Sequence, residues 1–353
     1  MAVRYEFSGV VGQAPAKRIL VAALQTGRVA PAYLLEGPPG VGKASLALAF
    51  AQALNCTHPH RRPCGEGAVC RRIAQFQFPD LWPLVPDRVR HEPLGVEGWI
   101  RPPGFHPTLK ISIDQVREVE QEISRPPVEG RRRVVLVLNA ENLTLEAQNA
   151  LLKVLEEPPE HTVFLLVSSS PTAVLPTIRS RCRTLRFTAL SQEEFRQIPW
   201  PTDRVPITTL YRLSGGRPGT ARLLLERAVL SLRNELLDRW HEQGVPGLLE
   251  FLHLNVGDRQ EAHTLLWLLA QVARDLLLLK LGLEHLVANV DRLETLQALA
   301  SRVSEAALEG LFREIQEVDT AFARNIGARA ATLSALAPLV PPSYLDVLPR
   351  GGP

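Results

Sequence analysis

A glycine-rich stretch near the N-terminus, GPPGVGKAS, has the residue types of a phosphate-binding loop. Its glycines leave successive backbone N–H groups unobstructed for phosphate oxygens, and its lysine adds a cation. The hydroxyl that should follow the lysine and bind magnesium is missing, because Ala44 occupies that position. Ser45 comes one residue later on the predicted helix and is turned away by about 100°. The candidate nucleotide-binding residues of this loop are Gly37, Gly40, Gly42, Lys43, Ala44 and Ser45.

A second magnesium position is missing where the apolar run Arg133–Leu138 ends. The run predicts a buried parallel strand, and nucleotide hydrolases place an acidic residue at the end of such a strand to bind magnesium. Here Leu138 and Asn139 occupy those places, and Glu141 is the nearest carboxylate. We therefore expect no magnesium site and no hydrolysis, whereas the retained glycine cradle allows ATP or ADP to bind without being hydrolysed.

Three cysteines lie close together after the predicted P-loop helix, and their spacing indicates a metal site rather than a disulfide framework. Structural zinc sites use four thiolate or imidazole ligands, so a histidine from THPHRRPC would have to complete the set. The alternative is three ordinary cysteines without a metal. The predicted zinc ligands are Cys56, Cys64 and Cys70, with His58 or His60 as the fourth.

Short apolar strands alternate with helical patterns in the first half of the chain. Ala32–Glu36 predicts the strand that leads into the glycine loop, and Val163–Val167 predicts a further buried strand. Helical patterns cover Lys43–Leu54 and Leu145–Glu156. This alternation predicts a parallel sheet covered by helices on both faces.

Other segments organise the rest of the chain. Asp114 is predicted to cap a helix over residues 114–124, and the proline-rich residues 78–110 are predicted to form a long irregular surface insertion. The sequence patterns typical of strands become weaker after residue 187. Residues 188–228 predict a small helical unit, and residues 229–353 predict a leucine-rich helical region.

The composition is that of a globular protein, since 45% of the 353 residues are hydrophobic and 22% are charged. The net charge of +3 permits contact with nucleic acid but does not predict it. Polar and charged side chains interrupt the longest apolar stretch, Leu265–Leu281, so we expect no membrane span. The N-terminus has no apolar core of signal-peptide length, and we expect a cytoplasmic protein.

Five further motifs resemble the clamp-loader branch of the AAA+ proteins, as found in bacterial DNA polymerase III. The resemblance covers most of the first 230 residues and is most specific where NALLKVLEEPP and SRC occur together. The motifs are VVGQ (residues 10–13), ISIDQVREV (111–119), NALLKVLEEPP (149–159), SRC (180–182) and SGGRPGTARLL (214–224).

The resemblance implies a three-domain fold. Residues 1–187 would form an α/β AAA+ domain, with a P-loop, a RecA-like parallel sheet and a zinc-module-like insertion at 56–70. Residues 188–228 would form a helical lid, and residues 229–353 an all-α collar through which subunits oligomerise.

The resemblance also assigns roles to residues outside the P-loop. Clamp loaders bind ATP between neighbouring subunits, so Arg181 of SRC would be an arginine finger that acts in trans on a neighbour's ATP. The alternative for Arg181 is an ordinary surface arginine. Val10 and Val11 join the candidate nucleotide-binding residues, and Glu156 is predicted to be a packing or interface residue.

The cysteine cluster departs from the family pattern. The zinc module of these loaders resembles four cysteines ending C-x-x-C-x-x-C, and here Gly67 stands at the middle position of that ending. The remaining cysteine, Cys182 of SRC, is predicted to be a small buried residue.

The resemblance implies a subunit that helps to load a sliding clamp onto primed DNA and whose own ATP site is hydrolytically silent. Its partners would be the gamma/tau motor subunits, the delta subunit, the clamp and, through the complex, primer-template DNA, with no membrane. The first alternative is an active AAA+ motor ATPase of the same machine. The second is an independent P-loop enzyme such as a kinase, which would leave SRC and NALLKVLEEPP unexplained.

Overall fold

The computed structural model describes residues 3–86, 110–201, 205–226, 229–323 and 326–340, which fall into two compact units. The first unit contains the described residues up to 199 together with 216–219, and the second contains 200–215 and the described residues from 220 onward. The finer division at residues 187 and 228 stays a prediction.

Parallel strands form the centre of the first unit. Its described strands are β1 (Arg4–Tyr5), β2 (Ala32–Glu36), β3 (Arg61–Arg62), β4 (Leu81–Leu84), β5 (Arg133–Leu138), β6 (Thr162–Ser168) and β7 (Arg183–Arg186). Five of them make one parallel sheet in the order β4-β5-β6-β2-β7, and β1 pairs with β3 separately. The P-loop strand β2 is therefore flanked by β6 and β7 near one edge of the sheet.

Helices connect the strands and cover both faces of the sheet. The helices of this part of the chain are α1 (Ala14–Thr26), α2 (Lys43–Asn55), α3 (Ala68–Ala74), α4 (Ile113–Ile123), α5 (Leu145–Glu156), α6 (Pro176–Arg181) and α7 (Gln192–Arg196). Tyr33 of β2 packs in one core cluster with Phe50 of α2, whereas its neighbour Leu34 packs in the other with Leu151 of α5. The predicted α/β fold with a doubly covered parallel sheet is confirmed.

The expectation of an irregular insertion at 78–110 is wrong for its first part. Leu81–Leu84 forms β4 and pairs in register with Val134–Val137 of β5. Pro83 lies inside this strand, which the sheet tolerates because β4 is an edge strand and needs no N–H donor on its outer side. The remainder of the expected insertion, residues 87–109, lies outside the described residues.

The predicted cap of α4 is also corrected. Ser112, not Asp114, is the N-cap residue, and its backbone N–H donates a hydrogen bond to Oε1 of Gln115 at 2.9 Å. Asp114 lies in the first helical turn, where its carboxylate complements the positive end of the helix dipole.

A buried carboxylate fixes the loop that precedes β5. Asp80 is fully buried and accepts backbone N–H groups from Val128, Glu129 and Gly130 at 2.7–2.8 Å. It also pairs with the buried guanidinium of Arg133, 3.3 Å away. Burial opposes ionisation of Asp80, but these four donors outweigh it and hold its pKa below the usual value.

The second unit is helical throughout its described residues. Its helices are α8 (Ile207–Ser214), α9 (Pro218–Glu226, whose first two residues belong to the first unit), α10 (Val229–Asn255), α11 (Arg259–Lys280), α12 (Leu293–Ala300), α13 (Glu305–Ala323) and α14 (Ala328–Ser334). Helix α10 is kinked at Gly244, where φ is 68°, just before Pro246.

Helix α11 is long and apolar enough to cross a membrane by length and composition, and half of its apolar window is buried inside the protein. It carries a fully buried carboxylate, Asp275, which accepts the backbone N–H groups of Ala288 and Asn289. These contacts are those of a core helix in the second unit.

Candidate functional site

The P-loop connects β2 to α2 through backbone conformations that favour glycine. Gly37 has φ 149°, and a Cβ placed on it would lie 2.3 Å from the carbonyl oxygen of Phe187. Gly40 and Gly42 have φ values of 79° and 96°, in the left-handed region. Because Gly42 is also the N-cap of α2, the loop N–H groups and the helix N-terminus belong to one local structure.

Lys43 is turned into the loop instead of toward solvent. Its ammonium group donates to the carbonyl oxygens of Gly37 and Pro38, each at 2.6 Å, and to Oγ of Ser169 at 3.0 Å. The side chain is buried, and this burial lowers the pKa of Lys43 to about 8, against a smaller opposing effect of the Glu141 carboxylate. All three ammonium donors are therefore used within the protein.

The two positions expected to handle magnesium carry apolar or amide groups. Ala44 packs against the core cluster beneath the loop, and Leu138 is buried in the same cluster. Asn139 follows in a left-handed conformation with φ 60°. Glu141 instead accepts the backbone N–H of Ser169 through Oε1 at 3.1 Å, so it acts as a local acceptor and as a countercharge for Lys43.

Residues near the N-terminus also contact the loop. Val10 is buried, and its Cγ1 lies 3.8 Å from the position that a Cβ of Gly42 would take. Gln13, which the sequence reasoning left without a role, donates through Nε2 to the carbonyl oxygens of Val41 at 3.2 Å and Thr188 at 2.8 Å. In the sequence, the indication that Gln13 has a role at the loop was its position at the end of the VVGQ motif.

The three predicted zinc-binding cysteines come together. Their sulfur atoms lie within 4.8 Å of one another, and those of Cys64 and Cys70 are 3.7 Å apart. Cys56 and Cys70 are buried, and Cys64 is partly exposed. Burial raises the pKa of the Cys70 thiol to about 12, so a metal would have to displace its proton.

The predicted fourth ligand does not join this group in the described structure. Nδ1 of His58 accepts the backbone N–H groups of His60 at 3.3 Å and Arg61 at 3.0 Å. Among the described residues, the group of candidate metal ligands that contains the cysteines consists of the three sulfurs. A role for His58 or His60 stays a prediction.

Arg181 lies at the C-terminal end of α6 with a partly exposed side chain. Its Nη2 donates to Oε1 of Glu156 at 2.7 Å, and its Nη1 donates to the carbonyl oxygen of Thr177 at 3.1 Å. Cys182, the next residue, packs against the core, and burial raises the pKa of its thiol to about 12. The two motifs that looked most specific in the sequence, NALLKVLEEPP and SRC, thus meet through the Glu156–Arg181 ion pair.

Comparison with known proteins identifies the family. The family model described as "DNA polymerase III, delta subunit" matches residues 12–191. The DNA polymerase III subunit delta′ of Escherichia coli (strain K12) is 30% identical over 302 residues, which cover 84% of each chain. This chain belongs to the DNA polymerase III delta-prime family. The delta′ subunit of Pseudomonas aeruginosa is 36% identical over 214 residues, which cover 59% of this chain and 60% of the relative.

The sequence similarity to gamma/tau subunits of polymerase III covers a shorter part of this delta-prime family member. The gamma/tau subunit of Mycobacterium tuberculosis is 35% identical over 193 residues, which cover 54% of this chain and 30% of the relative. A solved structure of a gamma-subunit-related protein from Thermotoga maritima is similar over 92% of this chain and 97% of its own, with 19% identity and a TM-score of 0.46. The family model and the delta′ relatives confirm the resemblance inferred from the motifs at the level of the family.

Proposed function

We propose that this chain is a subunit of the replication clamp loader, which helps to load the sliding clamp onto primed DNA. Its own ATP site is hydrolytically silent, and it supplies Arg181 in trans to the ATP of a neighbouring subunit. Its partners are the gamma/tau motor subunits and the delta subunit, and it acts in the cytoplasm. Family membership supports the assembly, and the residues of the site support the division of labour.

The observation that carries the trans role is the position of Arg181. A guanidinium is permanently protonated and offers several donors in a rigid fork, which suits the charge that spreads over phosphoryl oxygens during transfer. The side chain ends a short helix at the surface and retains N–H donors beyond those used by Glu156 and Thr177. A neighbour's γ-phosphate could therefore be engaged without dismantling any buried contact.

The chemistry of the chain's own site supports a silent state. A magnesium ion would meet the methyl group of Ala44 and the core side chain of Leu138 where hydroxyl and carboxylate ligands are needed. ATP or ADP binding requires the ammonium group of Lys43 to exchange its carbonyl partners for phosphate oxygens. We propose that any nucleotide bound in this way is not hydrolysed.

The alternative is an active motor ATPase of the same loader, because gamma/tau subunits share sequence with this chain. The purified chain separates the two functions. We expect no magnesium-dependent ATP turnover above that of a Lys43→Met control, and turnover that disappears in this control would favour the motor function.

Zinc is the cofactor that the cysteine cluster fits best. With Zn–S distances of about 2.3 Å, the sulfurs of a tetrahedral site lie about 3.8 Å apart, and Cys64 and Cys70 already approach this spacing. The ion would be held by Cys56, Cys64 and Cys70. It would cross-link the end of α2 to α3. Metal analysis of the purified chain tests this, and about one equivalent is expected.

Reconstitution tests the function as a whole. A loader assembled from gamma/tau, delta and this chain should load the clamp onto primed DNA, and a mixture that lacks this chain should not. Equal loading by the two mixtures would contradict the proposed function.

A further inference from the structure

The cysteine cluster supplies three corners of a tetrahedron from three different local structures. Cys56 follows the last residue of α2, Cys64 lies in the loop after β3, and Cys70 lies in α3. Their sulfurs lie within 4.8 Å of one another although the three cysteines are separated along the chain. The geometry of three metal ligands is therefore already present in the fold.

Gly67 lies against this cluster between Cys64 and Cys70 and has no side chain to offer as a ligand. Gly67 is placed so that a Cβ built on it would lie 3.2 Å from the sulfur of Cys64. Its backbone N–H donates to that same sulfur at 3.3 Å, and its φ of −68° suits any residue. A side chain at position 67 would thus lie against the Cys64 sulfur, in a contact that requires a shift of a few tenths of an ångström, and the glycine leaves this space free.

The open approach faces solvent. Gly65, Glu66 and Gly67 are exposed, and Cys64 behind them is only partly buried. The nearby carboxylate, Glu66, is engaged with Arg61 at 3.4 Å. His58 uses Nδ1 to accept backbone N–H groups of its own turn. The buried cluster is therefore separated from solution by the exposed residues 65–67, and this is the side from which a small molecule would approach it.

We propose that the cluster is a three-thiolate metal site whose fourth ligand comes from solution, so that the bound ion keeps an exchangeable position for water or for a small soft donor such as a thiol or an imidazole. This inference rests on the zinc proposal above. It differs from a closed structural site, in which four protein ligands exclude other donors. Three thiolates give a Zn²⁺ centre a net charge of −1. Water or imidazole leaves this charge unchanged, whereas a thiol binds as its thiolate, releases its proton to solvent and makes the charge −2.

Cobalt substitution of the full chain provides the test. The chain is freed of metal in the presence of a phosphine reductant and titrated with Co²⁺, whose visible d–d bands report the ligands. Imidazole or 2-mercaptoethanol is then added. We expect one equivalent of Co²⁺ and a saturable shift of the bands with either small molecule.

Matched variants locate the open corner. Gly67→Cys should close it, abolish the shift and tighten metal binding by about tenfold or more. Gly67→Ala, which adds a Cβ in tight contact with the Cys64 sulfur but no donor, should still bind one equivalent of Co²⁺ and show a saturable shift of the bands. The double variant His58→Ala/His60→Ala should keep both the spectrum and the shift.

The outcomes separate the two proposals. In one outcome, imidazole and 2-mercaptoethanol leave the wild-type spectrum unchanged, and the spectrum changes in the histidine double variant. This outcome would assign the fourth ligand to histidine and overturn the inference, while the zinc site would stand. Less than about a tenth of an equivalent of Zn²⁺ or Co²⁺ bound would overturn the zinc site and the inference together.

Discussion

Nη2 of Arg181 lies 2.7 Å from Oε1 of Glu156, and this ion pair joins the end of α6 to the end of α5. Both side chains are partly exposed, with 36% and 48% of their surface accessible. Exposed pairs of this kind contribute about 0–1 kcal/mol to stability. The contact therefore contributes little to the stability of the fold, and we expect its effect to be on the orientation of the guanidinium.

Replacing the carboxylate of this pair tests the orienting role. Glu156→Gln keeps the size of the side chain and removes its charge. We expect an unchanged thermal unfolding temperature and a decrease of about two- to fivefold in DNA-stimulated ATP hydrolysis at the site that Arg181 serves. In an Arg181→Ala background the same change should have no further effect. An equal additional decrease in that background would show that Glu156 acts independently of Arg181.

The depressed pKa of Lys43 predicts a pH-dependent stability. The folded value is about 8 and the ordinary value 10.5, so between these values the unfolded chain binds more protons than the folded chain. Stability should therefore rise with pH across this window, by about 3 kcal/mol in all. Urea unfolding of the wild type and of Lys43→Met at pH 7 to 10 isolates this effect, because the variant lacks the titrating group. Parallel pH profiles for the two proteins would contradict the burial of the charged ammonium.

The buried pair of Asp80 and Arg133 predicts a response of the same sign at acidic pH. The pKa of Asp80 is lower in the folded chain than in the unfolded chain, so its contribution is present above the ordinary value and is lost as pH falls through the folded value. Asp80→Asn should cost about 3–5 kcal/mol at pH 7 and less at pH 3. Asp114→Asn, which removes one partner of an exposed pair with Arg117, is the control and should cost little at either pH.

Gly37 is predicted to be irreplaceable for a steric reason. Gly37→Ala would combine a strained backbone conformation with a Cβ 2.3 Å from the carbonyl oxygen of Phe187, and we expect a loss of about 2–5 kcal/mol. Gly9→Ala is the control, because its Cβ meets no atom within 4 Å and its φ is not in the left-handed region. Urea unfolding should show the large loss in the first variant alone.

Much of the fold was predictable from the sequence because its elements carry strong local patterns. The continuous apolar run of β5 and the helix of NALLKVLEEPP needed no tertiary information. The strand β4 was missed because Pro83 makes the segment look irregular, and only its place at the edge of the sheet permits it. The cap at Ser112 was missed because Asp114 is also a good capping residue in isolation.

The site was predictable in its residue types and less so in its contacts. The convergence of Cys56, Cys64 and Cys70 followed from their spacing. The inward turn of Lys43 and the pairing of Arg181 with Glu156 depend on tertiary positions that no local pattern encodes. Gln13 is a similar case, because its amide bridges segments that are 175 residues apart in the chain.

The trans role of Arg181 is tested most directly in the reconstituted loader. Arg181→Ala should leave assembly intact and reduce hydrolysis at the site it serves by roughly 10³-fold or more, so that DNA-stimulated ATP hydrolysis falls clearly below that of the wild type. Arg179→Ala, an exposed arginine on the same short helix, is the matched control and should hydrolyse ATP at the wild-type rate. Equal rates for the two variants in fully assembled complexes would contradict the account.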